Sequence, residues 1–169
     1  MNYLNVTKSD IANGEGVRLV LWVSGCSHGC DECHNPESWN PNAGKKFDDL
    51  TFVKMLSELA KPVYDGITLS GGDPLYPANR EEVENICRKI KTVFPNKTIW
   101  LWTGYDWDEI KDLPLLQYVD IVVDGKYDKT RRDVTIAFRG STNQNIIDVQ
   151  PSLKSGECII LNSIYDVRY

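Results

Sequence analysis

Three cysteines lie within residues 26–33, in the segment CSHGCDEC. Cys26, Cys30 and Cys33 have the spacing CxxxCxxC, which lets one tight loop present three thiolates to a single cubane iron–sulfur cluster. Three ligands leave the fourth iron without a protein thiolate, and an open coordination position is typical of catalytic metal centres. The segment therefore favours a catalytic 4Fe–4S cluster bound by these three residues.

Structural zinc is the alternative metal for the same cysteines, because His28 or His34 would complete a Cys₃His set. Zinc sites usually pair two short ligand-bearing segments across a longer loop, and no second segment of that kind follows. Dithiol redox catalysis by Cys30 and Cys33 is disfavoured, since they lack the usual strand-then-helix setting. The chain has five cysteines, an odd number that argues against a disulfide framework.

The composition bounds the class of protein. A chain of 169 residues with 41% hydrophobic and 25% charged residues fits one globular domain with a buried core. A net charge of −5 argues against a nucleic-acid partner, which would usually select a basic face. No apolar run approaches the roughly 20 residues of a membrane span, and the N-terminus lacks the charged-then-apolar pattern of a signal peptide. We expect a soluble, cytoplasmic protein without membrane contacts.

Short apolar and β-branched runs recur along the chain and predict β-strands. The clearest run is VRLVLWV, directly before the cysteine segment. Strands are predicted over residues 17–23, 66–70, 98–102 and 120–124, with a weaker one at 134–138 and a last one at 158–161. Two further cysteines, Cys87 and Cys158, lie in apolar patterns and are predicted to be buried as small hydrophobic residues.

Helices are predicted between these strands. The apolar residues of 52–59 recur at helical spacing, and Pro62 ends that helix. A second helix is predicted to begin at Asn79, where Glu82 three residues on would complete a capping box. The same pattern of capping residues predicts a short helix near 106–109.

Strands that alternate with helices predict a parallel sheet covered by helices, in a single α/β domain. The chain is well short of the roughly 250 residues of a closed eight-fold barrel, so we expect a partial, open (β/α) barrel. In such folds the chemistry lies at the carboxyl ends of the strands. Four notable loops fall at those ends: the cysteine loop and residues 71–74, 103–105 and 124–126.

The cysteine segment, placed just after a strand, resembles the signature of the radical S-adenosylmethionine superfamily. The resemblance implies a partial barrel of that type and a cluster whose fourth iron chelates the amino and carboxylate groups of S-adenosylmethionine. It also implies that the reduced cluster splits the sulfonium into methionine and a 5′-deoxyadenosyl radical. Glu32 stands before the third cysteine, where the family often has an aromatic residue, and His34 would replace that residue against adenine.

Gly71, Gly72 and Asp73 follow the second of the four strongly predicted strands. Glycines permit positive φ values and a close approach of the backbone to a ligand, and a tight strand-to-helix turn explains them equally well. The superfamily resemblance implies that Gly71 and Gly72 make backbone contacts with S-adenosylmethionine. It places Asp73 at the acidic position beside the amino group of that cofactor.

Asp124, Gly125 and Lys126 follow the fourth predicted strand and resemble the Asp-x-Lys motif of glycyl-radical activating enzymes. The resemblance implies that Lys126 neutralises the carboxylate of S-adenosylmethionine through a charge-assisted contact. Asp124 would bind the ribose or, together with Thr103, hold a monovalent cation. A solvent-facing turn with an exposed ion pair is the alternative explanation of the same residues.

Further segments occur in a fixed order and narrow the resemblance, namely residues 13–18, 100–105, 123–126 and 139–144. With the cysteine loop they resemble the family of activating proteins of the anaerobic (class III) ribonucleoside-triphosphate reductases. The resemblance covers residues 1–145 as a radical S-adenosylmethionine activase domain. Residues 146–169 match no pattern and are expected to be a C-terminal extension packed on the same domain. The residues alone assign no physical role to 139–144.

The resemblance implies a glycyl-radical activating enzyme. Its deoxyadenosyl radical would take a hydrogen atom from the α-carbon of one glycine in the anaerobic ribonucleoside-triphosphate reductase, and a flavodoxin-like protein would donate the electron. Two alternatives stay open. One is a radical enzyme that acts on a small molecule, like the carboxy-deazaguanine synthases. The other is a zinc-binding interaction module without catalysis, which would leave the other strand-end loops unexplained.

Overall fold

Seven strands form one mixed sheet in the computed structural model of the protein, which describes residues 1–166. Along the chain they are β1 (Asn2–Asp10), β2 (Arg18–Val23), β3 (Lys45–Lys46), β4 (Gly66–Gly71), β5 (Thr98–Trp102), β6 (Ile121–Asp124) and β7 (Asn145–Asp148). Their spatial order is β3-β1-β2-β4-β5-β6-β7. The central strands β2, β4, β5 and β6 are parallel, whereas β1, β3 and β7 pair antiparallel at the two sides. The predicted α/β class and single domain are confirmed.

The four parallel strands are the four that the sequence strongly predicted. β2 and β4 are buried along almost their whole length, because both faces of a central parallel strand are covered. Such strands have continuous apolar runs, and these runs made the prediction possible. β1 was missed because it is partly exposed and mixes polar with apolar residues, as strands toward the side of a sheet commonly do.

Of the two remaining predicted strands, the one at 134–138 is wrong and the one at 158–161 is reduced to a single bridge. Residues 134–138 form bends and a turn instead of a strand, because the Asp133 carboxylate accepts the Thr135 N–H at 2.8 Å and Phe138 has a φ of 57°. Local side-chain bonds of this kind compete with strand pairing. Residues 158–161 contribute only an isolated bridge between Ile147 and Ile160. The strand that does pair with β6 is β7, which the sequence did not predict.

Within residues 1–166, five α-helices accompany the sheet: α1 (Asp49–Leu59), α2 (Arg80–Val93), α3 (Trp107–Ile110), α4 (Val149–Ser155) and α5 (Asn162–Tyr165). Short 3₁₀ helices lie at Pro36–Trp39, Pro114–Tyr118 and Lys129–Arg131. The predicted cap of α3 is confirmed, since the Glu109 carboxylate accepts the Asp106 N–H at 2.8 Å. No helix within residues 1–166 is long and apolar enough to cross a membrane.

The predicted capping box of α2 is wrong. Asn79 does precede the helix, but its side chain does not cap it. The Asn79 amide instead donates to the Ser24 carbonyl at 2.8 Å and to the Asp73 carbonyl at 3.1 Å. Asn79 is buried, and two backbone acceptors from neighbouring loops compete successfully for its only side-chain donor group. The residue therefore joins loops at the sheet edge rather than starting a helix.

The two faces of the sheet differ in what covers them. Leu21, Leu69 and Leu101 point to the main core, which α1–α4 complete, and we call this side the helix face. On the opposite side, Trp100 and Val123 belong to a second cluster. That cluster also contains Ile121 and Ile146, with Trp102, Phe138, Leu161 and Tyr165 packed against it. We call this second side the cavity face, since a large cavity opens on it.

The C-terminal part of the chain contributes to the cavity face. β7 spans the predicted boundary at residue 145, and Tyr165 of α5 packs edge-on against Trp100 at a ring-centroid distance of 5.8 Å. The division into residues 1–145 and an extension over residues 146–169 stays a prediction. Residues 167–169 of that extension lie outside the described part of the chain.

The two cysteines outside the cysteine loop differ in their exposure to solvent. Cys87 is completely buried in α2, as predicted. Cys158 is exposed, so the prediction that it is buried is wrong. The segment around Cys158 does not enter the sheet, and its thiol therefore has no apolar layer to cover it.

Burial of Cys87 makes the stability of the apoprotein depend on pH. Removal from water raises the pKa of the thiol from its ordinary 9.0 to about 12. The folded chain holds this proton more tightly than the unfolded chain, so the stabilisation is complete below pH 9 and is lost as the pH rises toward 12. We expect this group to lower the free energy of unfolding by about 1.4 kcal/mol between pH 8 and pH 10.

Urea titrations of the wild type and Cys87→Ala at both pH values measure this effect. The variant should be less stable at each pH, and its loss of stability between them should be smaller than that of the wild type by the stated amount. Equal losses in the two proteins would contradict the prediction.

Candidate functional site

The carboxyl ends of the four parallel strands bring the predicted loops to one edge of the sheet. The cysteine loop follows β2 and residues 103–105 follow β5, whereas residues 71–74 and 124–126 begin with the last residues of β4 and β6. These strands are neighbours in the sheet, so each loop lies beside the next. The edge thereby collects the cysteines, the glycine pair and the candidate charged residues that were separated by up to 100 positions in sequence.

The cysteine loop is attached to the sheet edge at its start. Gly25 donates its N–H to the Ser38 carbonyl at 2.7 Å, and Cys26 donates to the Trp39 carbonyl at 3.2 Å. A turn closed by the Cys33 N–H and the Cys30 carbonyl at 3.2 Å brings the later cysteines together. All three thiols are partly exposed and none is in a disulfide.

Burial and local charges act against each other on these thiols. Loss of water raises the pKa of Cys26 to about 11, although the His28 N–H donates to its sulfur. Burial also raises the pKa of Cys30, opposed by the positive charge of Lys126 and by an N–H from Tyr127. Both thiols are therefore protonated at neutral pH in the apoprotein, and binding of a metal centre would have to displace these protons.

The chemistry of the donor set suits a cubane cluster. Within residues 1–166, no group of three His, Cys, Asp or Glu side chains is arranged around one point where a metal ion could be held. In a cubane cluster each cysteine binds a different iron, so the three thiolates need not converge on one atom. Three free thiols on one exposed loop match that requirement.

Asp73 is the most highly bonded side chain at the edge. It is 1% exposed, and its Oδ2 lies 2.5 Å from His28 Nε2 and accepts the Gly104 N–H at 3.0 Å. Thr103 Oγ1 donates to both carboxylate oxygens at 3.0 Å, and the Leu75 N–H donates to Oδ1 at 2.7 Å. One carboxylate thus joins the cysteine loop to the ends of β4 and β5.

Gly71 and Gly72 are required by close contact between backbones. A Cβ on Gly71 would lie 2.7 Å from the Val23 backbone, and Gly71 has a φ of 108°. A Cβ on Gly72 would lie 2.6 Å from the Gly25 carbonyl oxygen. The N–H of Gly72 donates to the Val23 carbonyl at 2.8 Å. The pair therefore fixes the end of β4 against the start of the cysteine loop.

Gly104 is also required by a close contact, in this case with the side chain of His28. The His28 ring packs edge-on against Tyr105 at 4.6 Å, and a Cβ on Gly104 would lie 2.5 Å from the ring. We expect Gly104→Ala to displace His28 and to lower the free energy of unfolding by about 1–3 kcal/mol, the range for an overpacked site.

A double-mutant cycle tests this contact by urea denaturation of the apoprotein. In a His28→Ala background the ring is absent, so Gly104→Ala should then have little effect. The same loss of stability in both backgrounds would show that the methyl group does not meet His28.

Asp124 and Thr103, the candidate ligands of a monovalent cation, are engaged by other groups in the structure. The Asp124 carboxylate accepts the Trp107 N–H at 2.9 Å and the Asn145 N–H at 3.0 Å. Burial raises the pKa of Asp124, and these N–H donors oppose the shift. The Thr103 hydroxyl donates to Asp73. Both residues are buried at the sheet edge but belong to different hydrogen-bond networks.

Lys126 lies where the sequence placed it, beside the cysteine loop. It is exposed, and its ammonium group forms no ion pair with a carboxylate of residues 1–166. Its charge acts on Cys30. The loop that carries Lys126 also contacts the cysteine loop through an ion pair between Lys129 and Asp31. In the described part of the chain, Lys126 is therefore a cation without a carboxylate partner near a candidate cluster ligand.

A cavity of about 780 Å³ opens on the cavity face. The side chains of Trp22, Ser70 and Trp102 line it from the ends of β2, β4 and β5. His34 and Glu32 line it from the cysteine loop. The remaining lining residues are Ala12, Asn13, Tyr127, Arg132, Asp133, Val134, Phe138, Arg139, Gly140 and Gln144.

Three residues of the edge have contacts that the sequence does not predict. The sequence indicates a zinc ligand at His28 and a helix cap at Asn79, and it assigns no role to Gln144. His28 contacts Asp73, which is 45 positions away in sequence. Gln144 Nε2 donates to the Gly125 carbonyl at 2.9 Å. No local pattern reveals such partners, since they meet only when the strands are side by side.

The fold and the edge define an α/β protein whose cysteine loop lies at the carboxyl ends of the parallel strands of its sheet. A family model described as a 4Fe–4S single cluster domain matches residues 12–147. Curated proteins named anaerobic ribonucleoside-triphosphate reductase-activating protein match most of the chain. That of Enterobacteria phage T4 is 47% identical over 146 residues, covering 86% of this chain and 93% of that protein.

Bacterial proteins of the same name are similar over the same region. The protein of Haemophilus influenzae is 42% identical over 150 residues, covering 86% of this chain and 97% of its own length. That of Escherichia coli K12 is 37% identical over 148 residues, covering 85% of this chain and 96% of its own. The chain belongs to the family of anaerobic ribonucleoside-triphosphate reductase-activating proteins. The family predicted from the ordered motifs is confirmed, and the family model supports a 4Fe–4S cluster.

Proposed function

We propose that this chain cleaves S-adenosylmethionine at a 4Fe–4S cluster and converts one glycine of an anaerobic ribonucleoside-triphosphate reductase into a radical. The observation that carries the proposal is the position of three free thiols on one loop beside a cavity of about 780 Å³, in a member of this family. Cys26, Cys30 and Cys33 would hold the cluster. When bound and reduced, the cluster supplies the electron that splits the sulfonium of S-adenosylmethionine.

The residues around the loop support binding of S-adenosylmethionine. Lys126 is an unpaired cation beside Cys30 and would hold the carboxylate of the cofactor through a charge-assisted contact. His34 lines the cavity and would pack against adenine. The backbone at Gly71 and Gly72 would contact the amino acid portion. Asp73 would act indirectly, by holding these loops in place, because its oxygens already bond His28 and the Gly104 N–H after β5.

The remaining finer assignments belong to the same proposal. Asp124 would contact the ribose or, with Thr103, a monovalent cation. The mixed sheet would form a partial barrel that is open along the cavity face. Residues 146–166 would act as an extension that covers part of that face, as the contact of Tyr165 with Trp100 supports.

An open cavity suits a protein substrate. A backbone glycine cannot diffuse into a site alone, so a loop of the reductase would have to reach the cavity. Docking of the reductase would also exclude water and other hydrogen donors from a free primary radical. A flavodoxin-like donor in an anaerobic cytoplasm would supply the electron.

The test uses protein purified and reconstituted without oxygen. Dithionite, S-adenosylmethionine and the anaerobic reductase are added, 5′-deoxyadenosine is quantified, and the reductase is examined by electron paramagnetic resonance. We expect deoxyadenosine together with a glycyl radical that appears only when all components are present. Deoxyadenosine without a glycyl radical on the reductase would favour a small-molecule substrate. A colourless protein with bound zinc and no deoxyadenosine would overturn the proposal in favour of an interaction module.

A further inference from the structure

Three successive side-chain amides hold the last residue of β6 and the first two residues of the loop that follows it. The contacts are Asn145 Nδ2 to Asp124 Oδ1 at 3.1 Å, Gln144 Nε2 to the Gly125 carbonyl at 2.9 Å, and Asn143 Nδ2 to the Lys126 carbonyl at 2.8 Å. We call residues 143–145 the amide clamp. Each amide acts as a donor, and the three donors bond residues 124, 125 and 126 in antiparallel order.

The clamp continues the antiparallel register of the sheet beyond its last backbone pair. Pairing of β6 with β7 ends where Asp124 lies opposite Asn145. The same register would next place Gly125 opposite Gln144. Backbone pairing stops there, because Gly125 turns away with a φ of 88°. Side-chain donors then satisfy the carbonyls that a longer strand would have paired, and they fix the direction in which the loop leaves the sheet.

Gln144 also holds the opposite side of the clamp. Its Oε1 accepts the Gly140 N–H at 2.9 Å and the Ser141 N–H at 3.1 Å. Arg139 donates from Nη1 to the Gln144 carbonyl at 3.2 Å and forms an ion pair with Asp166. Gln144 is 8% exposed, so all of these bonds are largely shielded from water. Residues 139–144, which the sequence left without a role, thus form the base of the clamp.

The loop held by the clamp presents two groups to the cysteine loop. Lys126 and Tyr127 line a small cavity together with Gly29 and Asp31 of the cysteine loop, and the Lys129 ammonium pairs with the Asp31 carboxylate. The Asn143 amide donates to the Lys126 carbonyl, and within residues 1–166 no group donates to its own Oδ1.

We propose that the amide clamp is a positioning device that holds Lys126 in place for the carboxylate of S-adenosylmethionine. This inference rests on the proposed function, because it takes Lys126 as the contact of that carboxylate. Loosening the clamp should weaken binding of S-adenosylmethionine while the three cysteines still hold the cluster. Gln144 and Asn143 are positioning residues in this scheme, because they act on Lys126 through the backbone of its loop. Gln144 also lines the cavity and Asn143 is not among its lining residues, so Asn143→Ala separates positioning of Lys126 from a direct effect on the cavity.

Gln144→Glu tests the clamp with a small change in shape. The new carboxylate still accepts from Gly140 and Ser141, but it cannot donate to the Gly125 carbonyl and repels it. Gln117→Glu is the matched control, because Gln117 is exposed and donates to the Pro114 carbonyl at 2.8 Å far from the edge. Binding of labelled S-adenosylmethionine to cluster-loaded protein is measured by equilibrium dialysis, together with iron content and the urea midpoint.

We expect Gln144→Glu to raise the dissociation constant for S-adenosylmethionine about 10-fold with unchanged iron content, as for other residues that orient a ligand contact. Gln117→Glu should bind like the wild type. Lys126→Met should weaken binding in the wild type but add little in the Gln144→Glu background, because both changes remove one contact. Asn143→Ala, at a partly exposed position, should reproduce the loss if Gln144→Glu does not fold.

Two results would overturn the inference in different ways. Wild-type affinity in both Gln144→Glu and Asn143→Ala, or additive effects with Lys126→Met, would overturn the clamp and leave the proposed function intact. A cluster-loaded wild type that binds no S-adenosylmethionine would overturn both together.

Discussion

Cys30→Ala is expected to abolish formation of 5′-deoxyadenosine and to leave the protein with little bound iron. Cys30 is the middle of the three thiols, and it is the one beside Lys126 and the Tyr127 N–H. Changes to residues that merely orient a metal ligand lower metal affinity or activity by about 10–100-fold, so loss of a ligand itself should exceed about 100-fold. If Cys30 holds one iron of the cluster, as proposed, the alanine would leave that iron without a protein ligand.

The measurement is made on protein reconstituted without oxygen. Iron, sulfide and deoxyadenosine are quantified after addition of dithionite and S-adenosylmethionine. Cys158→Ala is the matched control, because Cys158 is also a free cysteine but is exposed and lies outside the cysteine loop. The control should keep wild-type iron and activity. Equal iron content and activity in Cys30→Ala and the wild type would show that the cluster is held elsewhere.

Asp73→Ala is expected to lower the free energy of unfolding of the apoprotein by at least about 3 kcal/mol. Hydrogen bonds to a charged group contribute about 1.5–3 kcal/mol each, and they are not additive when they share one acceptor. The alanine would leave His28, the Thr103 hydroxyl and two backbone N–H groups without the carboxylate that now accepts from them. Those groups are at a buried site, so water replaces the carboxylate poorly.

Urea titrations of Asp73→Ala and Asp112→Ala separate this effect from simple loss of a negative charge. Asp112 is exposed, and its variant should change stability by less than about 0.5 kcal/mol. Iron uptake gives a second readout, because Asp73 holds His28 within the cysteine loop. A variant as stable as the Asp112 control would contradict the role of Asp73 in joining the strand ends.

The central strands and the site loops were predictable because their signals are local. A parallel strand that is buried on both faces has a continuous run of apolar residues in its sequence, as in β2 and β4. Three cysteines that bind one cluster must be close in space, and a single short loop achieves that within eight positions. The order of these motifs along the chain was enough to predict the family that the comparisons confirm.

The strands at the sides of the sheet were harder to predict. β1 mixes polar and apolar residues along nine positions, and its pairing with β2 contains register shifts. β7 has only four residues, and it pairs with β6 while the more apolar segment at 158–161 does not enter the sheet. Propensity does not decide such a competition, because pairing and burial depend on which segment the rest of the fold brings to the edge.

The sequence by itself determined the central strands of the sheet and the family, and it predicted the three cysteines as cluster ligands, since each of these signals lies in short segments of the chain. Only the tertiary structure decided what holds the site together. Asp73 meets His28 and Gln144 meets Gly125 across 45 and 19 positions, respectively. Side-chain hydrogen bonds act over about 3 Å, so partners that far apart in sequence are fixed by strand order and register rather than by any local pattern.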